Sequence, residues 1–323
     1  MAKLGIKKRT QFNVRTIHFA EMEFLAEKTA IQTSASTMRN YTQSLGYFLN
    51  YLEDMGFENV EDLPVENIDS SMIAAWSNTM MRSGKKATTA NHYLRDVRSF
   101  LYWCMDKEYI KRFKISLIKG QEPELKAFLK EDIAVLLQKP HQNASFVEWR
   151  TWAIVNWVLG TGNRSSTVIN IKLEDIDFIT KKVFLRHTKN KKYQTTILSE
   201  ATETAIKEYL NRWGIDEWLF PSSMGANEQL TANALRHSFA RYCHERGIEQ
   251  TNIHGLRHSF SELMVKNGAS PFTLQQALGH TSITMSEKYV NRYTEDLAVD
   301  FKRYNPLDSL KQSSRRTQKI QKK

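Results

Sequence analysis

Cysteine is scarce in this chain: Cys104 and Cys243 are the only two among 323 residues. Two cysteines exclude a disulfide framework and a four-cysteine zinc site. Long apolar runs are missing too. The strongest, from Trp152 to Gly160, is far shorter than the ~20 residues that cross a bilayer. The basic N-terminus carries no apolar stretch of the signal-peptide kind, so a cytoplasmic protein with no membrane association is expected. Also lacking are a glycine-rich phosphate loop, a Cys/His zinc spacing and a carboxylate set suited to a catalytic metal. Acidic residues are absent from both tails. Residues 1–20 hold Lys3, Lys7, Lys8, Arg9 and Arg15, and residues 309–323 hold Lys311, Arg315, Arg316, Lys319, Lys322 and Lys323. Those eleven cations equal the whole net charge of +11, so residues 21–308 are balanced. Basic tails are often no more than solubilising extensions, so local clusters in the balanced body carry more weight.

What is present is ordinary globular composition, 41% apolar and 25% charged, long enough for about two domains of ~150 residues. Two basic clusters suit a phosphate backbone. One comprises Arg82, Lys85 and Lys86, just before a strongly periodic helix that also carries Arg95. The other comprises Lys181, Lys182, Arg186, Lys189, Lys191 and Lys192, within an acid-free stretch from Phe178 to Ser199.

The first third reads as helices. Tyr41, Leu45, Phe48 and Leu52 recur at helical spacing behind Ser36 or Thr37 as N-cap, and Ala90, Leu94, Val97, Leu101 and Cys104 form a second stripe. Shorter helices are expected at 17–28 and at 69–82, the latter capped by Asp69 after a turn at Pro64. Periodicity lapses from Arg112 to Leu129, where Gly120-Gln-Glu-Pro123 reads as a linker. Beyond it a tryptophan-rich helix ends at Gly160-Thr-Gly162. Short strands are expected at 177–179, 183–185 and 195–197, with a hairpin tip over Thr188 to Tyr193. Helices resume at 200–213, 231–246, 254–267, 271–279, 282–292 and 294–304. The expected fold is therefore mainly α with a small β-sheet in the second domain. The expected division is a basic tail (1–16), a helical domain (17–113), a linker (114–127), a second domain (128–305) and a basic tail (306–323).

That second domain holds a distinctive set of side chains. Arg164 follows Thr161-Gly-Asn163 at a helix start, and Lys189 sits at the hairpin tip. His254 and Arg257 lie one turn apart, on one helix face. His280 closes Leu278-Gly-His280, and Tyr289 follows nine residues later. Together these groups suit phosphoryl transfer without a metal. Two guanidiniums can clamp a phosphodiester, histidines can hold protons, a lysine can protonate a leaving alkoxide, and a tyrosine can attack. Each broken phosphodiester bond would be conserved as a phosphotyrosine, with no call for ATP.

Each residue also has a dull explanation. Arg164 could pair with Asp175 or Asp177, Lys189 could be a solvated hairpin lysine, and His254 could merely cap its helix. His280 could complement a helix dipole, and Tyr293 rivals Tyr289 as nucleophile. Five ordered segments together make that series of coincidences the weaker reading.

Thr161-Gly-Asn-Arg164, Thr188-Lys-Asn-Lys-Lys192, His254-Gly-Leu-Arg257-His-Ser-Phe260, Leu278-Gly-His280 and Tyr289 resemble the tyrosine recombinase (phage integrase) family, in order and in spacing. The resemblance covers residues 124 to 305 and extends more loosely to the helical first domain, similar to the family's core-binding domain. It implies a two-domain clamp on a double-stranded DNA core site. Tyr289 would form a 3′-phosphotyrosine, Arg164 and Arg257 would hold the phosphate, and Lys189 would be the general acid. His254 and His280 would assist proton handling, with no cofactor or metal. It further implies a homo-oligomer on DNA, a tetrameric synapse, with the amphipathic segment 294–304 (Leu297, Phe301, Tyr304) docking on a neighbouring subunit. Arg82, Lys85, Lys86, Arg95, Lys191 and Lys192 are the expected DNA contacts. One departure stands out: relatives commonly carry an acidic residue three positions after the first arginine, where this chain has Thr167. That departure keeps open one alternative, a recombinase-fold DNA-binding protein without strand exchange, such as a phage repressor or accessory factor. A nicking-closing topoisomerase-like enzyme using the same tyrosine chemistry is a more remote one.

Overall fold

The computed structural model describes residues 15–120, 126–186, 194–225, 227–279 and 282–287. The chain divides into two compact units, Met1–Glu124 and Leu125–Lys323.

The first unit contains four α-helices among its described residues: α1 (Ile17–Ala30), α2 (Ala35–Asp54), α3 (Ser70–Arg82) and α4 (Ala87–Asp106). Side-chain oxygens cap three of them. Thr16 accepts from Phe19 N, Ser34 from Thr37 N, and Asp69 from Ser71 N and Met72 N. The cap of α2 is thus Ser34, not Ser36 or Thr37. The apolar stripe starts only at Tyr41, so periodicity gives no signal for the polar first turn. The hydroxyls of Ser36 and Thr37 instead lie 3.0 and 2.9 Å from that of Ser34. The inward stripes meet in an aromatic core. Phe24 packs edge-on to Phe100 and Trp103, and Phe48 packs against Trp76 at 4.9 Å. Cys104 is fully buried at the foot of α4, and desolvation pushes its thiol up to about 12.

The second unit is built around α6 (Phe146–Thr161), ten of whose sixteen residues are buried. A helix apolar all round must be enclosed, and α8 (Glu200–Trp213), α9 (Ala232–His244) and α10 (His254–Lys266) pack against it. Ahead of it lies the short α5 (Lys130–Leu136), absent from the sequence expectation because seven residues are too few to show a period. After it come the one-turn α7 (Ser165–Val168) and an antiparallel sheet of β1 (Ile176–Asp177), β2 (Lys182–Leu185) and β3 (Gln194–Ile197), in that order. The first strand is shorter than expected. The Asp177 carboxylate accepts from Ile179 N and Thr180 N, which bends the chain and leaves Ile179 95% exposed. Residues Pro271–Leu278 form α11, with Pro271 in its first turn, and residues 284–287 are helical. The fold is mainly helical with one small sheet. Among the described residues no helix is long and apolar enough to cross a membrane.

Candidate active site and nucleic-acid interface

The turn that presents Arg164 is locked by its own side chains. Gly162 ends α6 in the left-handed region at φ 65°, where a side chain is strained. Thr161 Oγ1 donates to Trp157 O and accepts from Asn163 N, while Asn163 Oδ1 accepts from the buried Trp157 Nε1 at 3.0 Å. All three residues of Thr161-Gly-Asn163 are buried, and the half-buried Arg164 follows as the N-cap of α7. A Cβ on Gly162 would lie 2.8 Å from Leu278 Cδ2 and against the Phe260 ring. Gly162→Ala is therefore expected to destabilise the second unit by more than about 1 kcal/mol, through backbone strain and steric overlap together. Urea unfolding of the intact chain measures it.

Arg257 is the keystone of the site. It projects from the first turn of α10, is 3% exposed, and donates through Nη1 to Gly162 O at 2.6 Å and through Nη2 to Leu278 O at 3.1 Å. One side chain thus ties the turn before Arg164 to the C-terminal end of α11, two residues before His280. A guanidinium carries five N–H donors, so the same group can buttress backbone and face a phosphate. Desolvating a guanidinium is costly, and two aligned backbone bonds offset part of that cost.

His254 opens α10 and is exposed, with its ring edge-on to His258 at 4.8 Å. The turn that precedes it is held by Asn252 Oδ1, which accepts from His254 N. Further along α10, Ser259 Oγ donates to Gly255 O and accepts from Phe128 N at 2.8 Å. That pair of bonds fixes the start of the unit against the helix carrying His254 and Arg257.

The two carboxylates considered beside Arg164 have contacts of their own. Asp175 forms an ion pair with Arg186 through Nε at 2.5 Å and accepts from Lys172 N through its other oxygen, while Asp177 closes its own turn. Arg186 also meets Glu174, and Lys181 meets Glu203 at 3.2 Å. Two cations of the acid-free stretch are therefore paired with local acids rather than grouped for phosphate, because folding brings acids from outside that stretch beside them. Thr167 is buried in α7 and its N–H donates to Arg164 O.

In the first unit Arg82, Lys85 and Lys86 share the α3–α4 connection. Lys85 Nζ lies 5.2 Å from the Tyr47 ring centroid, a cation–π contact, while Arg82 and Lys86 are exposed. Arg95 is exposed about 13 Å further along α4, at 1.5 Å per residue. Lys189, Lys191, Lys192, His280, Tyr289, Tyr293 and the segment 294–304 lie outside the described residues. Among the described residues no cluster of three His, Cys, Asp or Glu side chains is arranged to hold a metal ion.

Sequence reasoning missed Gln194 and Ser259. Gln194 belongs to no motif, and Ser259 lies within the quoted His254–Phe260 segment but was given no role there. Their contacts reach segments 83 and 131 residues away.

This arrangement of fold and site places the chain in a defined class. The sequence pattern of the phage integrase family matches residues 126–296, and that of the phage integrase N-terminal SAM-like domain matches residues 23–108. The chain belongs to the phage integrase family, the tyrosine-type recombinases that break and rejoin DNA. It is 26% identical over 287 residues to tyrosine recombinase XerC of Thermodesulfovibrio yellowstonii, covering 85% of this chain and 91% of that one. It is 33% identical over 159 residues to tyrosine recombinase XerA of Pyrococcus furiosus, covering 49% and 55%. Similar folds include XerH recombinase in a post-cleavage complex with palindromic difH substrate (TM-score 0.68, 20% identity, 88% and 87% covered). Another is the lambda integrase(75–356) dimer bound to a COC′ core site (TM-score 0.66, 18% identity, 87% and 98% covered).

Proposed function

We propose that this enzyme is a site-specific recombinase that cuts and rejoins DNA strands through a 3′-phosphotyrosine, without metal or ATP. Residues 17–113 act as the core-binding domain, residues 128–305 as the catalytic domain, and the two clamp a double-stranded core site. Tyr289 attacks the scissile phosphorus through its phenol oxygen as the bond to the 5′-oxygen breaks. Arg164 and Arg257 hold the non-bridging oxygens and offset the charge that develops on them. Lys189 passes a proton to the departing 5′-oxygen, and His254 and His280 handle the phenol proton and help bind the phosphate. A 5′-hydroxyl then attacks the phosphotyrosine, restores the phosphodiester and releases the tyrosine. Because the bond is conserved at each step, the reaction needs no external energy source. Arg82, Lys85, Lys86, Arg95, Lys191 and Lys192 contact the DNA backbone, and four subunits assemble on two paired sites.

The observation that carries this reading is the Arg257 bridge, which joins the turn before Arg164 to the residue two before His280. A structural arginine alone would give no reason for those two segments, of all segments, to be the ones it joins. The test uses a nicked suicide duplex built on the site that the wild-type protein selects from a random-sequence library. Covalent protein–DNA adduct is expected on a denaturing gel in EDTA and without ATP. Strict dependence of the adduct on Mg²⁺ would overturn the mechanism in favour of a metal nuclease.

A further inference from the structure

At the C-terminal turn of α11 the Gly279 N–H serves Gln275 O and Gln276 O. The remaining carbonyls need donors from outside the helix, and two side chains from other segments reach this turn. Arg257 takes Leu278 O. The other is Gln194, the first residue of β3, whose Nε2 is shared between Gln276 O at 3.4 Å and Ala277 O at 3.5 Å. Bonds that long are weak singly, but packing adds a second observation. The Gln194 amide lies so close to the Gly279 α-carbon that a Cβ there would come within 2.7 Å of Nε2. Gly279 stands at φ 62°, so glycine provides both the left-handed turn and the space for the amide. His280 is the next residue.

On its other side Gln194 leads back to the β2–β3 connection. It pairs with Leu185 across the ladder, and Lys189 precedes it by five residues, within ~17 Å along an extended chain. One glutamine therefore meets the residue before His280 while standing at the strand end reached from Lys189.

We propose that Gln194 is a positioning residue. By holding the start of β3 against the C-terminal turn of α11, it registers the leaving-group acid Lys189 to the phosphate pocket closed by Arg257. The proposal rests on the reading of Lys189 as that acid. During cleavage the Lys189 ammonium gives its proton to the 5′-oxygen as the phosphorus–oxygen bond breaks. Replacing that bridging oxygen by sulfur removes the need for the proton. A thiol has a pKa near 8.5 and leaves as thiolate, whereas an alkoxide resembles hydroxide from water, with a pKa near 15.7.

The experiment compares wild type, Lys189→Ala, Gln194→Ala and Gln194→Glu on suicide duplexes with a 5′-bridging oxygen or a 5′-bridging sulfur. These duplexes carry the selected site described above. Gln194→Glu keeps the volume against Gly279 but has no N–H to give the carbonyls. Both Gln194 variants are expected to lose about 10–100-fold in adduct rate on the oxygen substrate, the scale for a misplaced acid. On the sulfur substrate they should return close to wild type, as Lys189→Ala should. Recovery on sulfur also shows that the variants are folded, since an unfolded protein would recover on neither. Gln194 variants that are unimpaired on oxygen, or slow on both substrates while Lys189→Ala recovers, would overturn the proposal. Failure of Lys189→Ala itself to recover would instead remove the acid role of Lys189, and the proposal would fall with it.

Discussion

Tyr289→Phe is expected to abolish covalent attachment to DNA while leaving duplex binding intact. On the proposed mechanism the change removes the attacking phenol oxygen and keeps the aromatic ring. A 3′-phosphotyrosine requires a phenol in line with the departing 5′-oxygen. Tyr293, one helical turn further on by sequence, offers the same chemistry at a different offset. Tyr293→Phe should leave the adduct unchanged, since Tyr289 alone stands nine residues after His280 as the family pattern requires. The measurement is adduct formation on a denaturing gel, with a native gel shift for binding. Adduct retained by Tyr289→Phe and lost by Tyr293→Phe would reverse the assignment.

Arg257 carries the second large effect, and its geometry sharpens what to expect. Arg257→Ala should cost about 10²–10³ in cleavage rate, the scale for one lost transition-state donor. It should also destabilise the second unit, because the Gly162 and Leu278 carbonyls lose buried donors, each at about 1–3 kcal/mol if left unsatisfied. Arg257→Lys separates charge from geometry. It restores the positive charge, but a single ammonium cannot span two carbonyls that a guanidinium fork now bridges. Cleavage should therefore stay well below wild type in the lysine variant. Specific DNA affinity should fall much less in both, since many other phosphate contacts remain. Single-turnover cleavage, gel-shift titration and urea unfolding read the three quantities. Wild-type cleavage by Arg257→Lys would mean that charge alone is required and that the bridge has no part in the chemistry. Tight specific binding by the wild-type protein, with no cleavage of any suitably nicked duplex, would favour the repressor alternative that Thr167 leaves open.

Much of the architecture is local enough to be read from the amino-acid order. Asp69 starts α3 because a carboxylate two and three residues ahead of two orphan N–H groups has its partners within one turn. Gly162 ends α6 for an equally local reason, since glycine tolerates the left-handed turn that stops a helix. The stripes of α2 and α4 mark their inward faces, as Leu45, Phe48, Leu94 and Val97, all buried, attest. Fold class and the family resemblance both follow from signals of this range.

Only the tertiary structure decided what joins the site together. The Arg257 bonds span 95 and 21 residues, and the Gln194 contact with α11 spans 83. A residue's partner across such separations depends on how whole helices pack, and nothing in the local spacing encodes it. The same holds for Arg186 and Lys181. In sequence they belong to an acid-free run, yet in the fold Asp175, Glu174 and Glu203 come beside them. Glutamine has no motif of its own, and Gln194 becomes visible only once Gly279 is seen to leave room for its amide. The sequence thus determined which chemical groups the protein carries and which helices present them. Their mutual placement came from packing, because burial and hydrogen-bond satisfaction are properties of the assembled core rather than of any one segment.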